Sequence, residues 1–341
     1  MTNIYGLTHK KLEEYFSGIG EKKFKATQIF EWLYQKRINS FDDMSNVSKK
    51  VIEKLRCDFS INKLELLNKQ IGDDVVKYLF KLSDNNKIEA VLMKHDYGNS
   101  LCISTQVGCN MGCHFCESGR LKKVRNLETY EMVLQILMVE EDLNIRISHL
   151  VLMGIGEPFD NYDNVINFIE IINHPKGIAL GSRHITISTC GLVPKIKEFM
   201  KYDKQVNLAV SLHAPNNEIR NKIMNINKVY PIEEVISVIK EYINKTNRRV
   251  TFEYIMLKGV NDSILNALEL SKLLKGINCY VNLIPYNETS HIEFKKSNKE
   301  DILKFYDTLK KNNINVTIRR EFGSKVSAAC GQLRSNYEEG I

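Results

Sequence analysis

The chain has 341 residues, with 48 Lys and Arg against 41 Asp and Glu for a net charge of +7, and it contains eight cysteines. That length suits one large core plus a small appended domain, because single cores stop growing near roughly 250 to 300 residues. No apolar run approaches the ~20 residues of a membrane span, and the polar start Met1-Thr2-Asn3-Ile4-Tyr5 is no signal peptide, so a cytoplasmic chain without membrane attachment is expected. In that compartment the cysteines argue for metal or catalytic use rather than a disulfide framework, and any disulfide should be transient. The mildly basic balance suits a polyanionic partner, although a lysine-rich composition by itself gives the same bias.

The first ~60 residues read as helices, with Ile29, Trp32 and Leu33 at i, i+3 and i+4 and Val47, Val51 and Leu55 continuing the helical spacing. From 61 to 99 the pattern changes to short strands, Val75 to Leu82 and Lys87 to Met93, separated by the turn residues Asp84, Asn85 and Asn86. Glu89 sits within the second of these and shares a face with Val91 and Met93, since strand side chains alternate with period two.

After residue 100, β-branched runs alternate with amphipathic stretches. The predicted strands are 101–105, 149–153, 184–188, 206–212, 250–256 and 280–284, and the predicted helices are 130–143, 165–172, 232–243 and 265–274. Repeated βα units imply a parallel sheet with right-handed crossovers and helices outside. About six units rather than eight predict an open barrel, a partial (β/α)6. The fold class is therefore α/β, with a small N-terminal helical domain (1–60), a β-hairpin linker (61–99), a barrel core (100–295) and a C-terminal extension (296–341). The extension is predicted to hold a capping box of Ser297 and Glu300, a helix over 302–309, a strand over 316–319, and Cys330 on a glycine-flanked loop.

Cys109, Cys113 and Cys116 read Cys-x-x-x-Cys-x-x-Cys, and no fourth cysteine follows close in the chain. Three local thiolates can hold three corners of a cubane [4Fe-4S] cluster and leave the fourth iron open for a small molecule. Zinc is the rival, although structural zinc normally wants four protein ligands, commonly in two separated pairs. The spacing, with an aromatic just before the last cysteine, resembles the radical S-adenosylmethionine (SAM) enzymes. There the methionine amino and carboxylate groups take the open iron, and one electron from the cluster splits off a 5'-deoxyadenosyl radical.

Ligands of parallel α/β sheets bind at the carboxyl ends of the strands. There the sequence offers Met153-Gly-Ile-Gly-Glu-Pro158, in which Gly154 and Gly156 allow backbone to approach a ligand and Glu157 offers a carboxylate to an ammonium. Ser188, the run Ser211-Leu212-His213, and Pro285-Tyr286-Asn287 follow at later strand ends, with groups that can bond a nucleoside. Singly, each has an ordinary structural explanation; jointly they point to cofactor binding. Arg120, Lys122, Lys123 and Arg125 after the cysteines, and Arg319, Arg320, Lys325 and Arg334 around Cys330, would give a positive rim to one mouth if the fold joins them.

At this point the chain resembles one family closely, the RlmN radical SAM RNA methyltransferases that methylate C2 of an adenine in 23S rRNA. The matching blocks run from Ala26-Thr-Gln-Ile-Phe-Glu-Trp-Leu-Tyr34 through Cys102-Ile-Ser-Thr-Gln-Val-Gly-Cys109, Met153 to Pro158, Ser188-Thr-Cys-Gly191, Ser211-Leu-His-Ala-Pro-Asn216 and Leu283-Ile-Pro-Tyr-Asn287 to Ala329-Cys-Gly-Gln-Leu-Arg334. The resemblance implies that Cys109, Cys113 and Cys116 hold the cluster and that Gly156, Glu157, Ser188, Ser211, Leu212, His213 and Asn287 contact SAM. It further implies that Cys330 is the methyl-carrying cysteine, Cys102 the second catalytic cysteine and Glu89 the proton acceptor.

Two SAM molecules would serve each turnover, one methylating Cys330 and one supplying the radical that activates that methyl group. A covalent protein-RNA adduct would then be released by Cys102, leaving a Cys102–Cys330 disulfide. Implied partners are 23S rRNA, certain transfer RNAs and an electron donor such as flavodoxin or ferredoxin, met by a monomer. Glu117-Ser118 and Asn225 depart from the family pattern, which bears on loop geometry more than on the chemistry. The related methyltransferases that modify C8 of the same adenine share the cysteines, but Glu157-Pro158 and the 211–216 block look more like the C2 group. A radical enzyme for a protein or small molecule and a non-catalytic metal-containing RNA-binding protein stand as the other classes.

Overall fold

The computed structural model describes residues 1–289 and 291–319. Three short helices open the chain: α1 (His9–Gly18), α2 (Phe24–Tyr34) and α3 (Lys49–Asp58). Thr8 starts α1 by accepting from the Lys11 N–H at 3.3 Å, as an N-cap hydroxyl should. Their buried faces, including Leu12, Phe16, Phe30, Leu33 and Leu55, belong to one continuous hydrophobic core with the barrel. The ring of His9 stacks on that of His174 at 4.5 Å, and Lys176 pairs with Glu31.

One ten-stranded sheet takes its strands strictly in chain order. These are β1 (Glu65–Ile71), β2 (Val75–Lys81), β3 (Lys87–His95), β4 (Gly98–Cys102), β5 (His149–Leu152), β6 (Ile185–Thr189), β7 (Asn207–Ser211), β8 (Val250–Met256), β9 (Cys279–Pro285) and β10 (Val316–Ile318). From β1 to β4 neighbours are antiparallel, and from β4 to β10 they are parallel. The parallel steps cross through α4 (Thr129–Leu143), α5 (Tyr162–Asn173), α6 (Val193–Phe199), α7 (Asn217–Ile223) with α8 (Ile232–Thr246), α9 (Ile264–Leu274) and α10 (Lys299–Lys311). In α8 the buried residues Ile232, Val235, Ile236, Val238, Ile239 and Tyr242 follow the helical stripe, each contributing about 1.5 to 3 kcal/mol by leaving water.

Thus six βα units form the expected partial barrel, and β10 adds a seventh parallel strand. Segment 61–99, expected as a hairpin linker, instead contributes β1, β2 and β3 to the same sheet. Strand β1 escaped the periodicity because it is an edge strand with both faces largely open to solvent, so no apolar alternation was required of it. The cap of α10 lies one residue later than expected. Asn298 accepts from the Asp301 N–H at 2.8 Å, while Ser297 donates to Asp262.

Opposed residues in a ladder share a face. The pairs Lys77–Val91, Val91–Cys102, Cys102–Val151, Val151–Thr186, Ser188–Ala209, Ser211–Glu253 and Glu253–Asn282 therefore trace one face across the sheet. The other face carries Leu92, Leu101, Leu150, Ile187, Val210, Phe252 and Val281, all in the main core beneath the helices. Arg319, just beyond β10, reaches the Met93 sulfur on β3 at 4.0 Å. Strands so far apart in the sheet can meet only because the sheet curls, which makes the polar face the inside of the barrel.

Candidate active site

Past β4 the chain turns into the three-cysteine loop. Gly108 has φ +73°, and a Cβ there would stand 2.2 Å from the Lys122 carbonyl oxygen, so this crossing requires glycine. The loop is braced from α7. The His114 N–H donates to Ile223 O at 3.0 Å, Cys113 bridges to Met224, and the Asn225 side chain donates to Gly112 O at 3.2 Å. Asn225, one of the departures from the family pattern, thus ties the loop down by a bond that a proline side chain could not make. Glu117, another departure, is buried and binds Arg120 at 2.8 Å.

Cys109, Cys113 and Cys116 line one cavity together with Gly156, Glu157, Ser188, Ser211 and His213. Burial pushes the Cys109 thiol up to about 12 and the Cys113 thiol well above its usual value, so a metal group bound there would have to displace their protons. Among the described residues no three His, Cys, Asp or Glu side chains gather closely enough to hold a single metal ion. Three thiols from one loop, opening on a wall of hydroxyl, carboxylate and imidazole groups, fit a cluster held at three corners with a polar small molecule beside it.

The wall is built by hydrogen bonds between strand ends. Glu157 caps the turn after β5 by accepting the Phe159 N–H at 3.0 Å, and its other oxygen accepts the Cys190 N–H after β6 at 2.8 Å. Burial raises its proton affinity, while these N–H groups hold it down. Gly156 and Gly154 also line the cavity, but a Cβ at either would strike Gln106 or Ile103 at 2.6 Å. Their missing side chains thus admit the neighbouring chain after β4, while the two residues still line the cavity.

His213 stands at φ +58° with its Nδ1 accepting the Ile255 N–H at 3.0 Å, which leaves the proton on Nε2. Burial, with the nearby Arg220 charge, lowers its pKa to about 3, so at neutral pH it is an uncharged donor. Leu212 points into the main core, and its N–H and carbonyl bond Glu253 and Arg220. Asn287 is partly exposed and is not among the residues lining the cavity.

Arg319, expected at the rim, lines the same cavity. So do Cys190 and Glu253, which were not anticipated. Beneath it Arg220, fully buried, donates to Leu212 O, Cys190 O, Ser211 O, Asn227 and Tyr230 O, locking the ends of β6 and β7 to α7. Glu253 could have been suspected as the one charge inside the run Val250–Met256. Cys190 and Arg220 left no comparable signal.

Glu89 and Cys102 are both buried. Cys102 packs with Val75, Val91, Met93 and Ile155, and Glu89 makes an ion pair with Lys77 at 2.7 Å. No disulfide joins the described cysteines; Cys330, Arg320, Lys325 and Arg334 lie outside the described residues. Among the described residues of the expected positive rim, three cations carry anionic partners. Arg120 pairs with Glu117, Lys123 with Asp160, and Arg125 with both Asp84 and Glu131.

A curled parallel sheet with a three-cysteine loop after its first parallel strand, opening on the strand ends, defines a radical SAM enzyme. Residues 103–271 match the Radical SAM superfamily, and residues 2–61 match the ribosomal RNA large subunit methyltransferase N-terminal domain. A protein of Listeria welshimeri named "Probable dual-specificity RNA methyltransferase RlmN" is 58% identical over 98% of this chain and 94% of its own length. One of the same name from Enterococcus faecalis is 57% identical over 98% of this chain and 96% of its own. The crystal structure of a radical SAM methyltransferase from Sphaerobacter thermophilus superposes with a TM-score of 0.93 at 39% identity, covering 98% of this chain and all of that one. The chain belongs to the RlmN family of radical SAM RNA methyltransferases, and its cofactors are a [4Fe-4S] cluster and SAM.

Proposed function

We propose that the chain methylates C2 of an adenine in 23S rRNA, and of an adenine in transfer RNA, through Cys330, Cys102 and Glu89. The observation that carries this reading is the ladder register that puts Cys102 and the Glu89 strand positions on the inner face leading to the cysteine-lined cavity. Adenine C2 is a ring C–H without useful nucleophilicity, so polar attack on a sulfonium methyl is unpromising there. When bound, the cluster and SAM supply a radical that takes a hydrogen atom from a methyl group.

In this reading the Cys330 thiolate would accept a methyl group from one SAM, a second SAM would serve the radical step, and Cys330 would carry the resulting one-carbon unit to C2. The adduct radical would then give up one electron to the oxidised cluster as Glu89 takes the C2 proton. The Cys102 thiolate attacks Sγ of Cys330: the S–S bond forms, the S–C bond breaks, and the electron pair passes to the carbon, which is protonated to methyl. The Cys102–Cys330 disulfide is reset by cellular thiols. Cys109, Cys113 and Cys116 would hold the cluster, while Gly156, Glu157, Ser188, Ser211, Leu212, His213 and Asn287 would contact SAM.

RNA contact is assigned to segment 1–60, where Lys10, Lys11, Lys22, Lys23, Lys49 and Lys50 are exposed, and to the exposed Lys122. Such phosphate contacts weaken steeply with salt. Segment 296–341 would bring Cys330 to the barrel core, and flavodoxin or ferredoxin would reduce a cytoplasmic monomer. No helix among the described residues is long and apolar enough to cross a membrane. Mass spectrometry of ribosomal and transfer RNA from cells with and without the gene tests the reading: loss of 2-methyladenine supports it, and loss of 8-methyladenine assigns the chain to the C8 reaction.

A further inference from the structure

Lys77 is a lysine in a strand whose residues from Val75 to Phe80 are all buried. It is 6% exposed, its ammonium lies 2.7 Å from Glu89 Oε1, and Glu89 is 2% exposed. Hiding two charges from water costs more than an isolated ion pair generally returns, so such a pair is weak as a source of stability. Its position supplies another reason. Lys77 opposes Val91, and Val91 opposes Cys102 on its other side. Strands spaced about 4.8 Å apart thus put Lys77 and Cys102 about 10 Å apart on one face, with Glu89 one inward position along.

We propose that Lys77 is a positioning residue for release of the RNA adduct: its buried ammonium keeps Glu89 a carboxylate and fixes its orientation on the inner face of the sheet. The proposal rests on the assignment of Glu89 as proton acceptor. A neutral carboxylic acid cannot take the C2 proton, and in a buried site the uncharged form is favoured unless an opposite charge stands beside it. Lys77 itself neither gains nor loses a proton in the step. Glu89 takes the C2 proton, and the electrons move as described for Cys102 and Cys330.

The test uses full-length, anaerobically reconstituted enzyme in single turnover with an rRNA fragment bearing the target adenine. Methylation of Cys330, the ribonuclease-sensitive protein-RNA band and released methylated RNA are followed separately. Lys77→Gln keeps a donor beside Glu89 but removes the charge, and should methylate Cys330 and form the adduct at near wild-type rates. Release should slow by about 100-fold, the lower range of a general-base contribution. Lys77→Arg, which restores the charge, should recover most of the release rate. Rescue by charge and the selective block of one step separate positioning from a merely structural role. Wild-type release by Lys77→Gln, while Glu89→Gln stalls, overturns the inference alone. Wild-type release by Glu89→Gln overturns the proton-acceptor assignment and the inference with it. If Lys77→Gln does not fold, Lys77→Arg carries the test: release near the wild-type rate is expected, and release as slow as that of Glu89→Gln overturns the inference.

Discussion

The Glu157 carboxylate accepts the backbone N–H of Cys190 at 2.8 Å, so a side chain from the turn after β5 fixes the loop after β6. With the other oxygen on the Phe159 N–H, the carboxylate is held in place before any ligand arrives. The Cys190 and Thr189 side chains also hydrogen-bond it.

Glu157→Ala should therefore weaken SAM binding by about 10- to 100-fold, since a hydrogen bond to a charged group contributes about 1.5 to 3 kcal/mol. Anaerobic calorimetry on cluster-loaded protein measures it. Unchanged affinity would restrict Glu157 to its two backbone bonds.

Removal of any one cluster cysteine should leave the protein colourless after anaerobic reconstitution. Cys109→Ala, Cys113→Ala and Cys116→Ala each leave two thiols in the loop, too few for a cubane held at three corners. Iron and sulfide analysis with visible absorbance reports the outcome. Stoichiometric zinc in anaerobically purified wild type, with no iron taken up, would replace the cluster by a zinc site.

Cys102→Ala should still methylate Cys330 and attack RNA, then stall with RNA attached. Denaturing gels should show a slow band removed by ribonuclease and missing from Cys102→Ala/Cys330→Ala. Free methylated RNA at the wild-type rate without any adduct would return Cys102 to the role its packing beside Val91 and Ile155 already gives it.

His213 makes stability depend on pH. Its folded pKa is about 3, whereas an unfolded imidazole titrates near 6.5. Between these values the unfolded chain binds the extra proton, so stability rises with pH across that window and levels off above it. At pH 5 the loss relative to pH 8 should be about 2 kcal/mol from this group. Urea midpoints of the apoprotein at the two pH values measure it, and His213→Asn should flatten the difference. An equal pH difference in wild type and variant would show that His213 does not drive it.

Local patterns carried far in this chain. Val250–Met256 was recognisable as a strand because its β-branched and aromatic residues declare a buried parallel strand. The three-cysteine motif was readable because a single short loop holds all three. At the start of α10 both Ser297 and Asn298 have side chains able to cap; Asn298 does so, and Ser297 bonds Asp262.

What the sequence by itself determined is whatever depends on near neighbours: the βα alternation, the three-thiol loop and the polar residues at strand ends. What only the tertiary structure decided depends on residues far apart in the chain. The curl of the sheet brought Arg319 to Met93 and made one face an interior. Salt bridges such as Arg125 to Asp84 and Lys123 to Asp160 removed cations from the expected rim. Cys190 became part of the cavity through the end of a different strand, and Gly156 proved necessary for Gln106. The physical reason is common to all of these. Periodicity and spacing fix which way a side chain points relative to its own backbone, whereas its charge, burial and partners are set by the chain segment that packs against it.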